Sequence, residues 1–155
     1  MNNLLQLLLE QAVHAFENKN YSNADSILQR VLKVDKKNFP ALYIMGLVKA
    51  SQLNYTEAID YLSRANLIYP NDPSLHYNLA KLLMECGRDK DSIAHHKKTI
   101  ALSPDNPEAW LNYGRATSNL GDHKGALRFY QNALNLRPNY LEALLNMGAV
   151  HKDLR

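Results

Sequence analysis

Residues Pro107–Tyr140 read PEAWLNYGRATSNLGDHKGALRFYQNALNLRPNY, and their order predicts two helices joined by a tight turn. From Glu108 to Asn119, Trp110, Tyr113, Gly114 and Thr117 recur at helical spacing. Gly121-Asp122 interrupts that run, glycine being a natural helix end. A second run, Lys124 to Leu136, sets Ala126, Leu127, Tyr130, Ala133 and Leu134 on one face. Arg137-Pro138-Asn139 stops it, because proline cannot donate the next backbone hydrogen bond and restricts the residue before it. Asn106-Pro107 and Asp72-Pro73 both fit helix starts, with a capping side chain followed by a proline in the first turn.

The same unit recurs along the chain. Pro70, Pro104 and Pro138 lie 34 residues apart, as do Pro73 and Pro107. In that register Ala24, Ala58, Ser92 and Ala126 form one column, and Val31, Ala65, Thr99 and Ala133 another. Ala12, Gly46, Ala80, Gly114 and Gly148 form a third column of small residues, which allow helices to approach closely. Two columns hold large residues: Leu8, Leu42, His76, Trp110, Leu144, and Leu28, Leu62, His96, Tyr130. A period of this length predicts stacked units, each unable to bury its apolar face alone.

These residues resemble the tetratricopeptide repeat family. The fourth unit supplies Trp110, Tyr113-Gly114, Ala126, Tyr130, Ala133 and Pro138 at the family spacing, and the second supplies Met45-Gly46, Ala58, Ala65 and Pro70. The third departs at Ser92, His96 and Thr99, and the first at Lys36, where proline is expected. The resemblance implies an all-α, right-handed superhelical solenoid of stacked antiparallel helix pairs, about four and a half repeats long. The expected repeats are 5–38, 39–72, 73–106 and 107–140, with a half repeat at 141–155, forming one domain over 1–155. Leu144, Met147 and Gly148 keep the repeat pattern instead of forming a polar cap, so the chain reads as the front of a longer protein, the other reading being that the lone helix is itself the cap.

Composition narrows the job. The 18 Lys+Arg against 15 Asp+Glu leave a balance of +3, too small for the electrostatic footprint of a nucleic-acid binder. Lys33, Lys36 and Lys37, and the run His95-His96-Lys97-Lys98, read as solvated turns or faces. The single cysteine, Cys86, excludes an internal disulfide and a cysteine metal cluster. Neither a His-Glu-x-x-His pair nor a phosphate-cradling glycine loop is present, and Glu57, Glu108 and Glu142 read as solvated carboxylates. His76 and His96 read as stand-ins for large half-buried residues, Gly114 and Gly148 as packing glycines. No catalytic residue, metal site or cofactor is expected, and the segment is read as no enzyme. No run reaches the ~20 apolar residues of a membrane span, which with the cysteine usage places the chain in the cytoplasm.

By the same resemblance, the first helices of successive repeats line a concave groove that takes an extended peptide. The candidate groove residues are Tyr43, Leu47, Tyr77, Asn78, Lys81, Leu111, Asn112, Arg115 and Asn146. Asn78, Asn112 and Asn146 recur at 34-residue spacing, although asparagine is mediocre inside helices. Each amide offers donors and an acceptor that match one peptide unit, or could equally bond between neighbouring helices. The row resembles the asparagine ladder in the arm of O-linked N-acetylglucosamine transferases and related bacterial repeat proteins. The repeats that grip a C-terminal carboxylate use a lysine-asparagine-asparagine-lysine-arginine set; Tyr43, Leu47, Asn78, Glu108 and Asn112 stand there, and only the asparagines fit.

The expected function is a protein-interaction scaffold; the alternative is the substrate-recruiting arm of a larger enzyme such as a glycosyltransferase. The start of the chain is read as a helix and not a signal peptide, lacking a positive leading segment. Leu4, Leu5, Leu7, Leu8 and Leu9 exceed what one helix face can bury, which points to self-association through that end.

Overall fold

The computed structural model describes residues 2–153; Met1 and residues 154–155, the outer ends of the expected domain and of its half repeat, lie outside them. The described residues form nine helices: α1 (Asn2–Glu17), α2 (Tyr21–Val34), α3 (Phe39–Ser51), α4 (Tyr55–Ile68), α5 (Pro73–Glu85), α6 (Asp89–Leu102), α7 (Pro107–Asn119), α8 (His123–Leu136) and α9 (Leu141–Asp153). The chain divides into two compact units between Asn71 and Asp72, so α1–α4 make the first and α5–α9 the second. Within each unit a first helix packs on the second helix of its own repeat, and that second helix packs on the next first helix. The first helices α3, α5, α7 and α9 start at Phe39, Pro73, Pro107 and Leu141, the 34-residue register expected from the sequence.

The helix starts follow from local chemistry. Asn38, Asp72 and Asn106 each accept a hydrogen bond from the backbone N–H three residues on, at 3.1, 2.7 and 3.2 Å. That satisfies one of the four N–H groups a helix leaves unpaired, and the prolines that follow have no N–H to satisfy.

The turn inside each repeat is also periodic. Lys19, Leu53, Gly87 and Gly121 all take left-handed backbone, with φ of 58°, 63°, 68° and 86°. Each closes the same helix-ending pattern, as where Leu53 N donates to Ala50 O and Asn54 N to Lys49 O. Glycine suits this conformation, whereas a side chain there costs roughly 1–2 kcal/mol. Leu53 is 73% exposed and so gains little from packing. Leu53→Gly is expected to stabilise the first unit by about 1 kcal/mol. Thermal melts followed by circular dichroism check this; a melting point unchanged or lowered would refute it.

Packing explains the small columns. Ala24, Ala58, Ser92 and Ala126 are fully buried, as are Val31, Ala65 and Ala133. A Cβ on Gly46 would come within 2.6 Å of Leu62, and one on Gly114 would strike the Tyr130 ring. The close helix approach therefore depends on the missing side chains. Gly148 differs from the packing role expected of it: no atom lies within 4 Å of where its Cβ would stand, because no second helix follows α9 among the described residues.

The third repeat replaces alanines by hydroxyl residues without leaving polar groups stranded. Ser92 Oγ donates to Asp89 O at 2.7 Å and Thr99 Oγ1 to His95 O at 2.9 Å, both within the helix. In the first unit Lys49 sits between α2 and α4, 2.6 Å from Asp25 and 3.2 Å from Glu57. The hydrogen bond to Asp25 raises its pKa. Glu57 is thus no isolated carboxylate.

Candidate functional site

The second unit carries a polar cleft of about 270 Å³ on the side formed by its first helices. Tyr77 and Lys81 come from α5, Glu108, Leu111, Asn112 and Arg115 from α7, and Tyr140 and Glu142 from the start of α9. All eight lie at one edge because residues 31–35 apart stand side by side when 34-residue repeats stack.

A chain of contacts organises the cleft. Asn112 Nδ2 donates to Tyr77 Oη at 3.2 Å, and Tyr77 Oη donates to Glu108 Oε2 at 3.5 Å. Arg115 Nη1 donates to Asn112 Oδ1 at 3.4 Å and lies 3.8 Å from Glu142 Oε1. Arg137 pairs with Glu108 at 3.6 Å and lies over the Tyr140 ring, 4.5 Å from its centre. Burial, then the charge of Glu108, raise the Tyr77 pKa. Burial raises that of Tyr140 as well. Both phenols are therefore neutral donors at neutral pH. Lys81 is exposed at the rim.

Five of the nine sequence-derived groove residues, Tyr77, Lys81, Leu111, Asn112 and Arg115, meet in this cleft. Leu111 and Asn112 are more enclosed than a solvent-facing groove implies, at 2% and 8% exposed. Leu111 belongs to the core cluster with Ala126, Tyr130, Ala133, Ala143 and Val150. Asn112 donates to Tyr77 on the neighbouring first helix and accepts from Arg115 within α7. Asn78 and Asn146 do not line the cleft. Asn146 Nδ2 is buried with no hydrogen-bond acceptor. The repeat explains this: one period after Tyr77, the residue that would accept from Asn146 is Leu111. Tyr43 and Leu47 are half-buried on α3 in the other unit, where Tyr43 stacks on Phe39.

Sequence reading missed Glu108, Tyr140 and Glu142. Glu108 and Glu142 stand one period apart, the same signal that exposes the asparagines, but a lone carboxylate on a helix reads as solvated. The first unit has its own open cavity of about 650 Å³ between α1 and α2, lined among others by Leu7, Glu10, His14, Ile27 and Arg30.

The histidines behave as large buried groups. His76 and His96 are 6% and 1% exposed, and the His96 ring stacks on Tyr113 at 5.6 Å. Burial, reinforced by neighbouring His95, pushes the His96 pKa down to about 4. Burial and His76 lower that of His95 as well. Among the described residues no group of three or more His, Cys, Asp or Glu side chains could hold a metal ion, and no helix is long and apolar enough to cross a membrane.

Comparison with known proteins agrees with this architecture. Tetratricopeptide repeat models match residues 9–75, 74–108 and 97–128. No curated protein sequence matches the chain. Among solved structures, the MamA protein superposes with a TM-score of 0.93 at 18% identity, over 98% of this chain and 83% of that one. MamA residues 41 to the end, from Desulfovibrio magneticus RS-1, give 0.91 at 18% identity over 96% and 85%. YrrB, described as a TPR protein with an unusual peptide-binding site, gives 0.88 at 21% identity over 94% and 75%. The 34-residue register, the helix pairs and three adjoining family matches lead to one conclusion: the chain belongs to the tetratricopeptide repeat family, with its all-α solenoid fold.

Proposed function

We propose that this chain is a binding module, not an enzyme, and that an extended segment of a partner protein is held along the first-helix face of the second unit. The observation that carries this is the cleft itself. Tyr77, Glu108, Arg115 and Glu142 present donors, acceptors and both signs of charge around an enclosed amide, Asn112, in a space suited to a backbone strand. Asn112 positions the Tyr77 hydroxyl and the Arg115 guanidinium, while Lys81 and Arg115 supply positive charge to a partner's acidic group. Asn78 and Asn146 continue the row on either side. In the first unit Tyr43 and Leu47 offer an apolar first-helix face for contacts of its own. The YrrB structure, with its stated peptide-binding site on this fold, supports the reading.

The recurrence of Asn78, Asn112 and Asn146 favours a second reading within the same chemistry, a substrate-recruiting arm of a larger enzyme resembling the glycosyltransferase arms. The mass of the native gene product separates the two.

Peptides selected against the chain test the site directly. Lys81→Ala combined with Arg115→Ala is expected to weaken binding about tenfold or more and to flatten its salt dependence. Asn112→Ala should weaken it further by freeing Tyr77. Calorimetric affinities unchanged in these variants, with helicity intact, would sink the proposal.

A further inference from the structure

We infer that the edge of the first unit carrying Lys33, Lys36, Lys37, Leu67, Ile68 and Tyr69 docks on a bilayer surface that contains anionic lipid. The apolar side chains enter the headgroup layer and the lysines meet its charge. Position comes first. α2 and α4 both end at the edge where the turns between repeats lie. Leu67, Ile68 and Tyr69 stand one period after Lys33, Val34 and Asp35, so stacking sets the two groups side by side. The Phe39 ring at the start of α3 meets the Tyr69 ring edge-on at 5.6 Å. That contact ties the end of α4 to the turn that carries Lys36 and Lys37.

The repeat shows which of these residues its packing requires. Ile68 belongs to a column, Val34, Ile68, Leu102 and Leu136, that is apolar in every repeat. Leu67 and Tyr69 do not. Their columns read Lys33, Leu67, Ala101, Asn135 and Asp35, Tyr69, Ser103, Arg137, so neither position is built to hold a large apolar group. Yet Leu67 is 84% exposed and Tyr69 56%, with Ile68 at 38% between them. Helices precede and follow this segment, so the exposure belongs to the flank of the array. Consecutive exposed apolar residues of this kind mark an interaction site. A side chain as exposed as Leu67 projects and lines no hollow, which fits insertion into a yielding headgroup layer. Tyrosine, with an apolar ring and a polar tip, suits the same depth.

Charge decides the lipid. Lys33, Lys36 and Lys37 are exposed, and among the described residues no carboxylate pairs with them. The acidic groups near this edge are engaged elsewhere. Asp35 accepts from Lys37 N and from Asn38 Nδ2, both at 3.1 Å, and Asp60 pairs with Arg64 at 3.6 Å. Free ammonium groups beside an apolar tip match an anionic leaflet, where each lysine near the surface is worth roughly fivefold in affinity. Their stems lie along apolar surface while the heads stay among the phosphates. An anchor of this size is peripheral and reversible.

Flotation with lipid vesicles tests this. The chain is expected to rise with vesicles of phosphatidylserine and phosphatidylcholine in equal parts and to stay behind with phosphatidylcholine alone. Added salt should release it. Lys36→Glu with Lys37→Glu, and Leu67→Ser with Tyr69→Ser, are each expected to weaken vesicle association roughly tenfold or more. All four side chains are exposed, so the variants should keep their helicity, checked by circular dichroism. Lys90→Glu with Lys124→Glu makes the same change of charge at the starts of α6 and α8 and should leave association within about twofold. A chain that ignores the mixed vesicles overturns the inference and leaves the edge to a protein partner. So does association unchanged in either edge variant, or lost equally in the Lys90 and Lys124 control.

Discussion

Tyr130→Ala is expected to cost the second unit about 3–5 kcal/mol. Its side chain is 2% exposed and lies at the centre of the cluster that joins α7, α8 and α9. Removing the ring leaves a cavity that Gly114 cannot fill, having no side chain to move into it. The reverse change is informative too. Gly114→Ala places a Cβ against the buried Tyr130 ring, and overpacking of this kind costs about 1–3 kcal/mol despite the better helix former. Gly148→Ala is the same substitution in the same repeat column but meets nothing, so it is expected to gain about 0.8–1 kcal/mol from helix propensity alone. Trp110, the one tryptophan of the chain, sits on α7 and reports on this unit. Urea unfolding followed by its fluorescence should therefore give opposite signs for the two alanines. Equal signs would show that the α7–α8 approach is not set by Gly114.

Acid should weaken the second unit progressively below about pH 6.5. His96 has an ordinary pKa near 6.5 in the unfolded chain and one held at about 4 by burial in the fold. Between those values the unfolded chain binds a proton that the folded chain refuses. Stability from this residue is thus complete above about pH 6.5 and falls progressively as pH drops towards 4. At about 1.4 kcal/mol per pH unit the full loss approaches roughly 3 kcal/mol. His95, lowered in the same direction, adds to it. His96→Leu restores the residue that Leu28 and Leu62 supply at this register and removes a ring whose Nδ1 is buried without a partner. The variant is expected to match or exceed the wild type at pH 7 and to lose far less stability between pH 6.5 and 4.5. Parallel stability curves for the two proteins would contradict this assignment.

Much of the architecture could be read from the chain because its markers act locally. Prolines stop helices wherever they stand, Asn38, Asp72 and Asn106 cap the helices that follow them, and the small columns report close packing. The positions that escaped reading depend on context. Lys19 and Leu53 look like helix formers yet occupy the left-handed position that Gly87 and Gly121 fill naturally. Repeat geometry, not their own preference, holds them there. In the cleft the asparagine column was visible, but its role was not. Whether the amide N–H finds an acceptor depends on the residue one repeat earlier: Tyr77 accepts from Asn112, whereas Leu111 offers nothing to the buried Asn146 Nδ2. Glu108 and Glu142 were overlooked because a lone carboxylate on a helix is ordinarily solvated, and only stacking brings cations to them. Gly148 shares a sequence column with Gly114, yet no atom among the described residues stands within 4 Å of where its Cβ would be.

His76 Nδ1 lies 2.9 Å from His95 Nδ1, and the identity of the two facing atoms constrains both rings. Two neutral imidazoles can bond through the same nitrogen only if one carries its hydrogen there and the other carries it on Nε2. The rings are then obliged to be unlike tautomers, and a switch in one forces the opposite switch in the other. Imidazole nitrogen resonances should therefore show one Nδ1-protonated and one Nε2-protonated ring, or two averaged signals that move in opposite directions. Replacing His76 by Phe would release His95 from that choice, and its nitrogen shifts should drift towards those of a free side chain.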